Sequence, residues 1–201
     1  MKGLFITGTD TGVGKTIVSA QLLSRAQLKF DSVKYIKPIQ TGLDQDCDTD
    51  TISSLVKHAE VTQILGFRHP LSPHRAAYLE NTQINFSELL RTTKKAMSAD
   101  MNIIEGAGGL LVPINQRYLM IDLIAALKVP VVLVSRSSLG TINHSLLSLE
   151  ALHKRHIAIA GVVMCGPKNC DNQLSIAHFG RLSTVITLED PKNLDQLWPQ
   201  P

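Results

Sequence analysis

GTDTGVGKT, residues 8–16, is the stretch of sequence that decides the fold. It follows the apolar run Leu4-Phe5-Ile6 and precedes a helical pattern, so a strand, a glycine-rich turn and a helix come in succession. This order predicts a phosphate-binding loop, in which backbone N–H groups and a helix N-terminus face an anion. Lys15 would reach the β- and γ-phosphates of a nucleotide, and the Thr16 hydroxyl would bind Mg²⁺. The alternative is a glycine-rich turn that binds nothing.

The bulk composition limits the class of protein. The 201 residues, 44% of them hydrophobic and 18% charged, predict one globular domain over residues 1–201. The net charge of +3 comes from dispersed basic residues, so we expect no nucleic-acid partner. The three cysteines indicate neither a disulfide framework nor a zinc site. Because no apolar stretch approaches the ~20 residues that span a membrane and the first residues lack a signal-peptide pattern, we expect a cytoplasmic protein without a membrane partner.

Apolar runs alternate with helical patterns along the chain. The apolar runs predict strands at residues 3–7, 33–36, 101–104, 129–134 and 157–164. The helical patterns lie at residues 16–28, 50–58, 86–97, 118–127, 141–153 and 172–179. This alternation predicts an α/β protein with the three-layer fold of the P-loop NTPases, in which helices flank a mostly parallel central sheet. We expect a loop at residues 67–79 and an irregular tail at residues 188–201.

A lysine and a group of aspartates follow the second predicted strand. Lys37 lies where this strand ends, and Pro38 follows it, so Lys37 faces the same edge of the sheet as the phosphate-binding loop. A solvated lysine is the alternative. Asp50 begins a predicted helix, where its carboxylate would cap the N-terminus or bind Mg²⁺. Asp48 lies close enough in sequence to compete for the metal.

Two further strand ends carry candidate functional residues. Glu105 ends the strand predicted at residues 101–104, and a buried carboxylate there favours contact with a metal or a polar partner. The glycines at 106, 108 and 109 let backbone approach a ligand closely. Gly140 and Thr141 begin a predicted helix whose free N–H groups suit a carboxylate, although Thr141 could equally be an ordinary N-cap.

Together these segments resemble the dethiobiotin synthetase family over about residues 1–165. The resemblance is carried by residues 8–16, 37–38, 41–42, 50, 72–74, 105–109 and 139–144. It implies a ligase that carboxylates and cyclises 7,8-diaminopelargonic acid with CO₂ and a nucleoside triphosphate, through a carbamate and a carbamic–phosphoric anhydride, in biotin biosynthesis. It also implies bound Mg²⁺ and a homodimer in which each subunit completes its partner's substrate site.

The same resemblance assigns roles to individual residues. Lys15 and Lys37 would be the catalytic residues that stabilise charge, and Thr16, Asp50 and Glu105 would bind Mg²⁺. Thr41 stands where the family usually has Ser and would contact the diamine or its carbamate. The nucleotide would be bound by Gly12, Val13, Gly14, Lys15, Thr16, Ile17, Asp50, Glu105, Gly106, Ala107 and Gly108. The distal carboxylate of the substrate would be bound by Gly140, Thr141, Ile142 and Asn143.

The chain also departs from the family pattern. Gly12 replaces a glutamate that is often present in the loop, whereas the five residues between Gly8 and Gly14 are a family trait. Cys165 and the residues after it stand where the family typically offers an Asn to the adenine ring. The tail after Ser183 has no evident match to the remaining base-reading segment. We therefore predict weak discrimination among ATP, GTP and CTP.

Two other functions share this fold class. A partition-type switch ATPase carries a lysine five residues before the main lysine of the loop, and here that residue is Asp10. A carboxylate-amidating ligase of cofactor synthesis usually bears an added glutaminase domain, for which 201 residues leave no room.

Overall fold

The computed structural model describes residues 2–45, 47–189 and 191–198. In these residues seven parallel strands form one sheet, in the order β3-β2-β4-β1-β5-β6-β7. The strands are β1 (Lys2–Gly8), β2 (Val33–Thr41), β3 (Glu60–Phe67), β4 (Met101–Gly109), β5 (Val131–Arg136), β6 (Ile159–Cys165) and β7 (Val185–Thr187).

Helices cover both faces of this sheet. They are α1 (Lys15–Ala26), α2 (Asp48–Leu55), α3 (Pro73–Leu79), α4 (Phe86–Ala96), α5 (Met120–Leu127), α6 (Thr141–Lys154) and α7 (Cys170–Gly180). A 3-10 helix, Pro191–Leu197, follows β7. Across the part of the chain that the structure describes, every helix is too short or too polar to cross a membrane.

The strands are apolar on both faces because each face is covered by helices. Along β1, Leu4 and Ile6 pack towards α1, α2 and the 3-10 helix, while Phe5 packs towards α3, α4 and α5. All three side chains are fully buried. A parallel sheet buried on both faces selects such continuous apolar strands, and the predicted three-layer α/β architecture is confirmed.

Sheet register brings the candidate residues together at one edge. In β1 and β4, Ile6 pairs with Glu105, and in β2 and β4, Ile36 pairs with Ile104. Lys37 therefore lies beside Glu105, on the side of the sheet that α1 covers. Pro38 lies beyond the paired residues of β2 and β4, where its missing N–H breaks no ladder bond with β4.

The sequence missed several elements, all of them short or near the edges of the sheet. β3 and β7 are the two outermost strands, and β3 mixes polar with apolar residues because much of it is only partly buried. The predicted loop at 67–79 contains α3, which begins with Pro73 at its first position.

The tail predicted to be irregular at 188–201 instead contains the 3-10 helix, whose Leu194 and Leu197 are buried. Within that range, residues 190 and 199–201 lie outside the described residues.

Candidate active site

A cavity of about 560 Å³ lies at the carboxyl ends of β1, β2 and β4. Ten of the sequence-predicted site residues line it: Gly12, Gly14, Lys15, Thr16, Ile17, Lys37, Thr41, Glu105, Ala107 and Gly108. Val13 and Gly106 are buried next to the cavity wall, and the Gly106 carbonyl accepts a hydrogen bond from Lys37 Nζ at 3.2 Å. Asp50 and residues 140–143 do not line it.

The phosphate-binding loop depends on glycine at two positions with positive φ. Gly12 has φ of 70° and Gly14 has φ of 98°, which residues with a Cβ adopt only with strain. Gly14 stands at the N-cap of α1 without a side-chain cap, so the first N–H groups of the helix remain available to an anion.

Lys15 follows this glycine and begins α1. Its ammonium donates a hydrogen bond to the Asp10 carbonyl at 3.0 Å. Burial lowers the pKa of Lys15, although nearby Glu105 partly opposes that effect. A backbone carbonyl therefore holds the lysine within the loop. A bound phosphate would supply a negative charge that stabilises this partly desolvated ammonium.

Lys37 lies at the centre of a buried ionic cluster. Its ammonium forms ion pairs with Glu105, at 2.9 Å to Oε1, and with Asp48. Burial would lower the pKa of Lys37, but the two carboxylates outweigh it and raise that pKa. Burial would raise the pKa of Asp48, but Lys37 and the Thr16 hydroxyl lower it. The cluster is thus charged, with one cation between two anions.

A set of hydroxyl groups fixes the Glu105 carboxylate, whose side chain is fully buried. Ser19 Oγ donates to Oε2 at 2.6 Å, and Tyr35 Oη donates to the same oxygen at 3.1 Å. Burial and the neighbouring Glu105 raise the pKa of Tyr35 well above its usual value, so Tyr35 remains a hydrogen-bond donor. Thr16 Oγ1 lies 3.1 Å from Oε1.

The sequence analysis did not identify Ser19 and Tyr35 as site residues. A signal was present in their spacing. Tyr35 precedes Lys37 by two residues on β2, so both side chains point to one face of the sheet. Ser19 follows Thr16 by three residues on α1, which places them on one face of that helix.

Asp48, and not Asp50, reaches the cavity. α2 begins at Asp48, and Asp48 Oδ1 accepts a hydrogen bond from Thr16 Oγ1 at 2.7 Å. The Asp48 backbone N–H donates to Gln40 Oε1 at 3.3 Å, which fixes the start of the helix. Asp50 is exposed on the same helix. Asp48 is therefore better placed than Asp50 to make the contacts with nucleotide and metal that the sequence analysis predicts for Asp50.

Thr16, Asp48 and Glu105 form a donor set that suits Mg²⁺. A hydroxyl and two carboxylates are hard oxygen ligands, and Mg²⁺ completes such a set with water and phosphate oxygens. In the described residues, no three His, Cys, Asp or Glu side chains cluster to hold a metal by themselves. The arrangement therefore fits an ion that is shared with a nucleotide better than one held by protein alone.

The predicted substrate residues fall into two separate groups. Thr41 lines the cavity together with Lys37. Residues 140–143 begin α6, where Gly140 has φ of 91° and no side chain caps the helix. Leu139 before it is 99% exposed. The structure therefore does not bring this helix start to the cavity of its own chain.

Comparison with known proteins assigns the chain to a family. Residues 2–197 match a family model described as an AAA domain. The ATP-dependent dethiobiotin synthetase BioD of Paramagnetospirillum magneticum is 43% identical over 191 residues, which cover 94% of this chain and 88% of that protein. The chain belongs to the dethiobiotin synthetase family. The predicted family, enzyme class and role in biotin biosynthesis are thereby confirmed.

Two further relatives show how the match extends. The BioD of Lawsonia intracellularis is 44% identical over 187 residues, covering 93% of this chain and 86% of that protein. The biotin biosynthesis bifunctional protein BioCD of Bordetella avium is 49% identical over 194 residues and 93% of this chain. This chain spans only 39% of that bifunctional protein.

Solved structures at lower identity share the fold alone. A ParA family ATPase from Chlorobium tepidum has a TM-score of 0.58 and 13% identity, covering 98% of this chain and 88% of that one. Chloroplast FtsY from Physcomitrella patens has a TM-score of 0.54 and 17% identity, covering 98% and 65%. These similarities confirm the P-loop architecture of the chain.

Proposed function

We propose that this chain joins CO₂ to 7,8-diaminopelargonic acid at the expense of a nucleoside triphosphate and closes the ureido ring of dethiobiotin. The observation that carries the proposal is the position of Lys37, a buried cation in the same cavity as the phosphate-binding loop and Thr41. In a partition-type switch ATPase the second lysine stands in the phosphate-binding loop, whereas here it comes from β2, the strand that carries Thr41. Two lysines in one cavity suit a reaction in which a second anion meets that phosphate.

The reaction proceeds through two anionic intermediates. One substrate amine attacks CO₂ to give a carbamate, and a carbamate oxygen attacks the γ-phosphorus while the nucleoside diphosphate leaves. The second amine then attacks the carbonyl carbon of the mixed anhydride and expels phosphate. The enzyme forms no covalent bond, so its contribution is to position the reactants and stabilise their charge.

Each charged species of the reaction has a residue of the cavity to bind it. Lys15 and the backbone of residues 12–17 contact the triphosphate, and Lys37 stabilises the negative charge shared by carbamate and γ-phosphate. Thr41 binds the diamine or its carbamate through its hydroxyl. Ala107 and Gly108 line the wall beyond Glu105, where a nucleotide approaches backbone without a bulky side chain.

Thr16, Asp48 and Glu105 hold Mg²⁺ in this proposal. The ion would neutralise charge on the β- and γ-phosphates. The two carboxylates pair with Lys37 and lie near Lys15, so two anions and two cations balance in the site before nucleotide binds. Asp50 remains outside this set because it is exposed.

We also propose a cytoplasmic homodimer whose substrate site is shared between subunits. The start of α6, with residues 140–143, would bind the substrate's distal carboxylate in the partner's cavity. The helix start without a side-chain cap, the exposed Leu139 beside it and its absence from the lining of its own chain's cavity support this arrangement.

The direct experiment is product formation. The purified chain is mixed with 7,8-diaminopelargonic acid, bicarbonate, Mg²⁺ and ATP, and the reaction is followed by mass spectrometry. The expected result is dethiobiotin in a ratio of one to each phosphate released. Hydrolysis of ATP without dethiobiotin would contradict the proposal and favour a switch ATPase.

A further inference from the structure

The proposed reaction releases protons inside the cavity. An alkyl ammonium must lose a proton before its nitrogen attacks CO₂, because only the free lone pair is nucleophilic. The carbamic acid then loses another proton. A group that accepts protons near Thr41 would therefore raise the concentration of the reactive amine.

The two carboxylates of the cavity are already paired with a cation. Asp48 and Glu105 are paired with Lys37, and the Thr16 hydroxyl donates to Asp48 and lies 3.1 Å from Glu105 Oε1. Among the described residues that line the cavity, the remaining ionisable side chain is Lys15, and no histidine is present. A proton acceptor must therefore act through a residue of the cavity wall.

Ser72 in that wall contacts a histidine. Ser72 lines the cavity, and its Oγ lies 3.1 Å from Nδ1 of His74. His74 is half-buried and lines a second cavity of about 270 Å³, on the other side of the same segment. The pair thus connects the active-site cavity with a separate polar one.

The segment that carries Ser72 packs against the proposed substrate residues. The backbone N–H of Gly42 donates to the His69 carbonyl at 3.2 Å. A Cβ placed on Gly42 would lie only 3.3 Å from the Cβ of Pro70. Ser72 is therefore close to the end of β2, where Thr41 lines the same cavity.

We propose that Ser72 and His74 form a proton relay for the substrate diamine, an inference that rests on the proposed function. The Ser72 oxygen accepts a proton from the substrate ammonium while its own proton passes to Nδ1 of neutral His74. The nitrogen keeps the electron pair of the broken N–H bond and attacks the carbon of CO₂, forming the C–N bond while one C=O π pair moves to oxygen. The imidazolium then loses its Nε2 proton to water, which leaves neutral His74 with its proton on Nδ1, and proton exchange with water returns that proton to Nε2 before the next turnover.

The charged groups around His74, in the second cavity and in α3, are arginines. Arg117 lines the same cavity as His74, and Arg75 lies next to it in α3, 4.9 Å from the Tyr78 ring. The other polar residues that line this cavity are Tyr78, Thr82, Gln83, Asn115 and Gln116. Among the described residues that line the second cavity, none is a carboxylate, so no anion there holds the imidazolium in place.

The test compares His74→Asn with His69→Asn in the complete reaction. Asn retains a hydrogen-bonding group near the position of Nδ1 but cannot accept a proton at neutral pH. His69 is a matched control because it lies in the same segment and bonds Glu80 instead, outside both cavities.

Ser72→Ala and Ser72→Thr test the hydroxyl itself. The measurements are kcat and KM for the diamine from pH 6 to 9, with ATP binding and melting temperature as checks on folding.

The relay predicts a kcat lower by on the order of 10²-fold for His74→Asn and Ser72→Ala, the usual contribution of general base catalysis. We expect KM to change less than about 3-fold, and Ser72→Thr and His69→Asn to keep most of the wild-type kcat. The pH profile of kcat should differ between the wild type and His74→Asn, because only the wild type has the imidazole. A His74→Asn enzyme with wild-type kcat and pH profile would overturn the relay alone, and a wild-type enzyme that makes no dethiobiotin would overturn the proposed function with it.

Discussion

Lys37 is the residue on which the candidate site is built. Burying an ammonium is costly unless anions and hydrogen bonds compensate it, and Asp48, Glu105 and the Gly106 carbonyl do so here. A lysine with only a structural role could be replaced by an apolar residue together with its partners. Its location beside the phosphate-binding loop instead keeps a full positive charge where the proposed carbamate and γ-phosphate meet.

Substitution of Lys37 tests this role. Lys37→Ala should lower kcat by on the order of 10²-fold or more, as should Lys15→Ala, because each removes a group that stabilises transition-state charge. Lys34→Ala is the control, since Lys34 lies on the same strand but pairs with Glu60 and does not line the cavity. Steady-state kinetics on all three variants would decide the point, and a tenfold loss or less at Lys37 would make it a bystander.

The pair Asp48 and Asp50 offers a matched comparison within one helix. Asp48→Asn should lower kcat at saturating ATP by on the order of 10²-fold and weaken Mg²⁺ activation, because a neutral amide cannot replace a charged ligand. Asp50→Asn should stay within about 2-fold of wild type, because an exposed surface side chain contributes little. Titration of activity with Mg²⁺ measures both. Equal losses in the two variants would contradict the assignment of the metal site to Asp48.

These two aspartates also mark what the sequence could and could not predict at this scale. Lys15, Thr16, Lys37 and Glu105 follow from strand ends, because register places such ends at one edge of a parallel sheet. The choice between Asp48 and Asp50 depends on where α2 begins. Either carboxylate could cap the helix, and the start is fixed by long-range contacts of Asp48 with Gln40, Thr16 and Lys37 that the sequence does not show.

At the scale of elements, the buried centre of the sheet was predictable and its margins were not. β1, β4, β5 and β6 are nearly continuous in apolar residues because helices cover both faces. β3 is an edge strand whose polar residues reflect partial exposure, so it has no clear period. The 3-10 helix was missed because its stability comes from contacts with α1, which lies far away in sequence.

Those contacts form an ionic clamp between the 3-10 helix and α1. Asp195 pairs with Arg25 at 2.5 Å and with Lys29 at 3.0 Å, and it accepts a hydrogen bond from Trp198 Nε1 at 3.1 Å. Trp198 packs edge-on against Phe30. The hydrogen bond from Arg25, together with those from Lys29 and Trp198, lowers the pKa of Asp195 below its ordinary value.

The clamp should make stability depend on pH in a defined direction. Because the pKa of Asp195 is lower in the folded than in the unfolded chain, its contribution is fully present above the unfolded value of about 4 and is lost as pH falls below it. Asp195→Asn should cost about 1–2 kcal/mol at pH 7 and less at pH 3.5. Urea unfolding at both pH values tests this, with the exposed Asp31→Asn as control. A difference that grows as pH falls would contradict the clamp.

The segment after β6 bears on the choice of nucleotide base. Cys165 ends β6 beside the phosphate-binding loop, where its Sγ would lie 2.9 Å from a Cβ on Gly14. Burial raises the pKa of this thiol to about 11, so Cys165 is neutral and offers neither the donor nor the acceptor strength of an amide. We therefore expect kcat/KM for ATP, GTP and CTP to lie within about 100-fold of one another, or about 2.8 kcal/mol. Steady-state kinetics with a stronger preference for ATP would refute this expectation.

At the scale of the whole molecule, the two proposed substrate subsites lie apart. The cavity opens between β1, β2 and β4, whereas α6 begins after β5, and residues 140–143 do not line the cavity. Lys37 and Thr41 belong to the first subsite, and Asn143 belongs to the second. In the proposed homodimer, the second subsite would come from another copy of the chain.

Mixing two defective variants tests whether the site is shared. Lys37→Ala disables the cavity, and Asn143→Asp places a carboxylate beside the proposed position of the substrate carboxylate, in the first turn of α6 where an acid does not disturb the helix. With a shared site, a mixed dimer has one site with both defects and one with neither. Random exchange makes about half of the dimers mixed, so activity should rise to about one quarter of the wild-type value. Complete sites within single chains would instead give only the average of the two variants.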